Sequence, residues 1–80
     1  VIPMLNRFVY TVRDNLCSAT VHSYFNREDA IACAVRRINF FGYEVIAYHP
    51  DDEYIVIDVL DRNPRIPEVG TITIEANNLD

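Results

Sequence analysis

The stretch Asn26–Gly42, NREDAIACAVRRINFFG, is the one segment of this chain with strong helical signals, and strand-like segments lie on both sides of it. Asn26 suits an N-cap, since its side-chain oxygen can accept from the free N–H groups of the first turn. Asp29 stands where a capping box would have Glu or Gln, so that box is imperfect. Glu28 and Asp29 favour the positive end of the helix dipole, and Arg36 and Arg37 lie towards its negative end. Gly42 is placed to take the left-handed conformation that stops a helix. Ala30, Ile31, Ala34, Val35, Ile38 and Phe41 recur at three- and four-residue spacing and predict one apolar stripe, with Ala30 and Ala34 letting the helix lie close to a sheet. Glu28, Asp29, Ala32, Arg36, Asn39 and Phe40 fall opposite, with Cys33 beside them. An aromatic at Phe40 is out of place on a wet face, and its expected role is to cover the sheet edge.

Upstream, residues 5–13, LNRFVYTVR, alternate with period two, which predicts a strand. Asp14 and Asn15 then read as a two-residue hairpin turn. That turn makes residues 16–24 the second strand, with Arg13 facing Leu16, Val12 facing Cys17, Tyr10 facing Ala19 and Phe8 facing Val21. Downstream, Tyr43–His49 and Glu53–Asp61 are strongly β-prone, and Pro50, Asp51 and Asp52 supply a loop between them. A three-residue loop pairs Tyr43 with Val59, Val45 with Ile57 and Ala47 with Ile55, all facing the helix. It leaves Glu44, Ile46, Tyr48, Tyr54, Val56, Asp58 and Leu60 on the other face; a slip by one residue would put Ile46 and Tyr48 inside instead. Residues 62–70, with Pro64 and Pro67, read as an extended connection. TITIEA, residues 71–76, makes a short last strand with Ile72, Ile74 and Ala76 on one face, and the tail NNLD is expected to fray. The order β-β-α-β-β-β predicts an α+β fold: a single domain over residues 1–80, an antiparallel sheet with one helix packed on one face.

Eighty residues suffice for one domain with one core. The net charge is −5, and it is uneven: residues 1–50 sum to +1 and residues 51–80 to −6. Such asymmetry points to a charged partner surface or to a well-solvated half. Every basic residue is Arg, which suits planar, bidentate contacts. The opening VIPMLNRF lacks a basic n-region and an apolar h-region, so no secretory leader is expected. No apolar run approaches the ~20 residues of a membrane span. The two Cys are expected to be reduced thiols in a cytoplasmic protein.

With a single helix, the far face of the sheet is expected to be open and to carry Val9, Leu16, Ile46, Tyr48, Tyr54, Val56 and Leu60 beside Arg7 and Arg13. A continuous apolar patch of this kind marks an interface, and Tyr and Arg are typical anchors. The competing expectation is that the last strand and the Pro-rich connection fold over this face. Tyr48 opposite Tyr54, with Arg7 and Arg13 nearby, has the chemistry to stack single-stranded bases. That reading ranks below protein binding, given the acidic net charge and the missing signature of RNA-recognition domains. Asp51, Asp52 and Glu53, with Asp58 and Asp61, form an acidic set: a solvated loop guarding a strand edge, or a patch that mimics nucleic acid towards a basic groove. His49 beside these acids gives one soft ligand and no calcium-loop spacing, so neither a metal nor a cofactor is expected. Cys17 and His22 are five apart on one predicted strand and face opposite sides, which keeps them from acting as a nucleophile and base. Two Gly cannot build a phosphate loop. The expected protein is therefore not an enzyme.

The succession FVYTVRDNLCSATVHSYF, NREDAIACAVRRINFFG and YEVIAYHPDDEYIVIDVL, closed by a last strand, resembles in order and size the small phage-encoded inhibitors of the anti-CRISPR type, several of which are single ββαβββ-like domains. The resemblance implies a stoichiometric activity: binding a CRISPR effector complex in the host cytoplasm and blocking its contact with DNA or guide. It carries no individual residue across. The candidate binding set is Arg7, Arg13, Tyr48, Asp51, Asp52, Glu53 and Tyr54, with Tyr as anchors, Arg as bidentate contacts and the acids as phosphate mimics. The alternatives are a small sheet-based nucleic-acid-binding domain and a homodimeric structural or accessory subunit joined through the open face.

Overall fold

The computed structural model describes residues 8–16 and 21–78. The elements are β1 (Phe8–Asp14), β2 (Val21–Tyr24), α1 (Arg27–Phe41), β3 (Glu44–His49), β4 (Tyr54–Asp61) and β5 (Glu68–Asn78). All five strands form one antiparallel sheet in the order β2-β1-β5-β4-β3. The expected α+β class and the order β-β-α-β-β-β are the observed ones. Among the described residues no helix is long and apolar enough to cross a membrane.

The largest departure is β5. Expected as a short terminal strand over 71–76, it runs for 11 residues and lies in the middle of the sheet. Asn77 and Asn78, expected to fray, pair with Val9 and Phe8. The alternation Ile72, Ile74, Ala76 against Thr71, Thr73, Glu75 places the first set with the core and the second on the far face. The isoleucines sit between Val12 on β1 and Ile55 and Ile57 on β4. Ile55, Ile72, Ile74, Val12 and Val59 are fully buried, each contributing about 1.5–3 kcal/mol through loss of water contact. Gly70, expected to end the connection, lies within β5 opposite Val59. A Cβ there would come within 2.3 Å of Leu16 Cγ, so the bare backbone is what lets Leu16 pack onto the core.

The first hairpin differs from expectation. Asp14 and Asn15 do not make a two-residue turn. Asp14 is the last residue of β1, and Asn15 prolongs the ladder towards β5, its N–H donating to the Thr71 carbonyl at 3.1 Å. Thr71 N–H in turn donates to Asn15 Oδ1 at 2.7 Å. The second strand is confined to four residues and shifted by five positions, so that Val12 faces His22 and Tyr10 faces Tyr24. The expected partners Cys17 and Ala19 lie outside the described residues.

The β3–β4 hairpin is also shifted. Val45 faces Val59, a bulge absorbs Ile46, and Tyr48 then faces Ile57. The bulge adds one residue to β3 and reverses which residues share the core side beyond it. Pro50 to Glu53 make the connection, and Glu53 C=O accepts from Ala76 N–H at 2.8 Å.

The helix begins and ends as its sequence dictates. Asn26 Oδ1 accepts from Glu28 N–H at 2.8 Å, and Gly42 takes φ 69°. Asn63 donates from Nδ2 to the Phe41 carbonyl at 2.8 Å, satisfying a terminal acceptor. Its roll differs from the expected stripe. Ala30, Cys33 and Ala34 are buried, whereas Val35 is exposed. No basic residue lies in the last turn. Arg37 is drawn inward by Asp14, which explains the roll.

Candidate functional site

Asp14 is the one charged side chain with no solvent exposure among the described residues, and three elements converge on it. Arg37 of α1 reaches its Oδ2 at 3.2 Å, Tyr43 donates its hydroxyl to the same oxygen at 3.2 Å, and Leu16 N–H donates to Oδ1 at 2.9 Å. The Arg37 guanidinium also lies over the Phe41 ring at 5.2 Å, and that ring stacks on Tyr43. A buried carboxylate satisfied in this way holds α1, β1 and the entry to β3 in one arrangement. All its contacts are internal, so it positions the surfaces beside it.

Two such surfaces flank the sheet, one at each edge. At the β3 edge, Val45, Ile46 and Tyr48 are 48%, 53% and 54% exposed. The helix packs chiefly on β1, β2 and β5, which leaves β3 uncovered. Among the described residues β3 is an edge strand with no partner on its outer side. Directly after it come Asp51, Asp52 and Glu53, all exposed. His49 Nε2 lies 3.3 Å from Asp58 Oδ2, across the strand pair and away from these three acids. At its other end Glu44 accepts from Arg62 Nε at 2.7 Å.

At the β2 edge an open cleft of about 560 Å³ lies between β2 and the C-terminal half of α1. His22 and Tyr24 form one wall, and Cys33, Arg36, Phe40 and Phe41 form the other. Phe40 is 81% exposed and meets Phe41 edge to face. The expectation that Phe40 covers the sheet edge is thus corrected: it borders the cleft and leaves its ring open. Cys33 is a buried free thiol. Its sulfur beside the Tyr24 hydroxyl, together with burial, raises the Tyr24 phenol above its ordinary 10.0, while Arg36 works in the opposite direction.

The candidate set from the sequence is only partly brought together. Tyr48 and Tyr54 are on opposite faces: Tyr48 shares the core side of Ile57, and Tyr54 faces Glu75 on the far side. The expected tyrosine pair therefore does not exist, and the reason is the bulge at Ile46. Arg13 is exposed on the far face opposite Thr73, with β5 and β4 between it and Tyr48. Arg7 lies outside the described residues. The expected continuous apolar patch is broken as well. β5 sets Thr71, Thr73 and Glu75 between β1 and β4, and Leu16 packs on the core instead. Tyr48, Asp51, Asp52, Glu53 and Tyr54 do remain neighbours in the chain along the β3–β4 turn. The cleft was missed, although signals for it existed. Asp14 continues the inward period of Tyr10 and Val12, and Arg37 continues the helical spacing of Ala30 and Ala34. An inward Asp and an inward Arg require each other.

Compared with known protein families, with curated proteins and with solved structures, the chain matches none.

Proposed function

We propose that this domain is a non-enzymatic protein-binding module that acts as a stoichiometric inhibitor, seated on its partner through the β3 edge and the acidic turn that follows. The observation that carries this reading is the run Val45, Ile46 and Tyr48, about half exposed on a strand whose outer side pairs with none of the described residues. An edge strand offers free backbone groups to an incoming strand, while flanking pockets and side chains select the partner. Tyr48 supplies an anchor of the kind enriched at interface centres. Asp51, Asp52 and Glu53 add a negative rim that would steer the domain to a basic surface. The sharper form of this proposal is an anti-CRISPR protein that occupies a basic nucleic-acid groove of a CRISPR effector complex. The shared order β-β-α-β-β-β supports that form.

The test is capture of partners by the tagged protein from host lysate, with and without nuclease, beside a double variant Ile46→Asp, Tyr48→Asp. A nuclease-resistant complex that the variant loses, while its circular dichroism is unchanged, is the expected result. Equal capture by the variant would remove the β3 edge as the contact surface. Capture that disappears with nuclease would transfer the function to nucleic-acid binding.

A further inference from the structure

We infer that the cleft between β2 and α1 is a second recognition site, independent of the β3 edge, and that it takes an acidic–aromatic peptide segment: a carboxylate beside an aromatic ring. The chain carries 12 acidic residues against seven Arg, yet among the described residues none that lines this cleft is Asp or Glu. Arg37 is neutralised by Asp14. Arg36 is exposed, and among the described residues no carboxylate lies within ion-pairing distance of it. The cleft therefore presents one guanidinium that touches the neutral Tyr24 hydroxyl and has no carboxylate partner among the described residues, a fork whose geometry matches a carboxylate.

The walls supply the second half of the specificity. Phe40 and Phe41 meet edge to face at 5.0 Å, and Phe40 keeps most of its ring in solvent. Exposing a large aromatic to water is unfavourable, and an incoming ring stacked at 4.5–7 Å recovers part of that loss. Tyr24 and His22 stand across the cleft with their rings 6.5 Å apart. At about 560 Å³ the space holds more than one side chain, within the ~300–1,000 Å³ range of ordinary ligand sites. A peptide fits better than a nucleic acid, because one guanidinium without a carboxylate partner among the described residues, on a protein of net charge −5, cannot neutralise a row of phosphates.

The test uses three capped dipeptides, Ac-Asp-Phe-NH2, Ac-Asn-Phe-NH2 and Ac-Asp-Ala-NH2, titrated against the labelled protein and followed by amide chemical shifts. The Asp-Phe peptide is expected to shift the amides of Tyr24, Cys33, Arg36 and Phe40. It should bind about fivefold or more tightly than either relative, the discrimination that one charge-assisted contact or one ring contact supplies. Arg36→Gln should abolish the preference for Asp over Asn and keep the preference for Phe; Phe40→Ala should do the reverse. Unchanged core amide shifts certify that both variants are folded. Equal binding of all three peptides, shifts located elsewhere, or an Asp preference that survives Arg36→Gln would each overturn the proposal. So would an oligothymidylate that shifts the same amides more strongly and loses binding steeply with salt. Because Ile46 and Tyr48 are untouched, loss of partner capture through β3 leaves this result unaffected, and the two proposals fail separately.

Discussion

The two edges of this sheet are closed in different ways. At one edge β2 is four residues long, and the helix packs beside it. At the other edge β3 is six residues long, bulged, and bare of helix. The difference follows from size. Five strands at about 4.8 Å spacing make a sheet roughly 19 Å across, whereas a helix is only about 10 Å wide. One helix therefore covers β1, β5 and a flank of β2 and leaves the far edge uncovered. Where it overhangs β2 it makes a cleft; where it falls short, β3 presents its apolar side chains. Asp14 decides which edge is which, because its pair with Arg37 rolls α1 towards β1.

The sharpest way to break this arrangement is to remove that carboxylate. Asp14→Ala removes the carboxylate from the mostly buried Arg37 and one hydrogen bond from Tyr43, and removing one member of a buried pair costs about 3–5 kcal/mol. The denaturant midpoint should fall accordingly. Amide exchange should rise on both sides: in β2, because the pair with Arg37 sets the roll of the helix beside it, and at the entry to β3, where Tyr43 meets Asp14. Acceleration at one edge alone would mean that the edges are anchored separately.

Gly70→Ala acts on one side only. The added methyl would meet Leu16 Cγ within 2.3 Å and Asn15 Oδ1 within 2.6 Å. Overpacking of this kind costs about 1–3 kcal/mol. Loosening should appear where β1 meets β5, with the β3–β4 pair retaining its protection. Conversely, Ile46→Asp with Tyr48→Asp should leave stability within about 1 kcal/mol, since both side chains are half exposed and surface changes are small. Loss of the captured partner with little change in melting temperature is the signature of a contact surface.

How much of this was legible in the sequence divides along the same line. The helix was, from Asn26 to Gly42, because its start and stop depend on local chemistry that acts within a few residues. The class and element order were too, since alternation in LNRFVYTVR, YIVID and TITIEA requires strands. Register was not. The β1–β2 offset depends on Asn15 bonding to Thr71, 56 residues away, and no local turn preference contains that. The face assignment on β3 failed because a bulge costs one residue and leaves no mark in the pattern EVIAYH. β5 was read as the last strand of the chain, which it is, but its central place in the sheet was not legible, although its strict Ile/Thr alternation fits a strand flanked on both sides. The connection between Tyr48 and Tyr54 was legible as a turn, whereas the cleft required knowing that Asp14 faces inward.

Tyr24 gives a spectroscopic view of the cleft side. Its phenol is raised above 10.0 by Cys33 and by burial. A raised phenol keeps its proton longer in the folded chain than in the unfolded one. Its contribution to stability is therefore fully present below pH 10 and is lost as pH climbs through the folded value. Phenolate absorbance should show a late-titrating component that Tyr24→Phe removes, and the alkaline decline of stability should flatten in that variant. Cys33→Ala should bring the titration back towards the ordinary value; an unmoved titration would place the cause elsewhere.

The smallest effect belongs to the β3 side. Arg62 Nε donates to Glu44 Oε2 at 2.7 Å, but both side chains are more than half exposed. Exposed pairs contribute about 0–1 kcal/mol because water screens them and two long side chains must be ordered. Arg62→Gln should shift the denaturant midpoint barely at all in physiological salt. Its use lies in the contrast with Asp14: the two ion pairs have similar lengths, one enclosed by the helix and one at the uncovered edge. A loss from Arg62→Gln comparable to that from Asp14→Ala would mean that β3 is shielded from water after all, and the helix would no longer explain why the two edges differ.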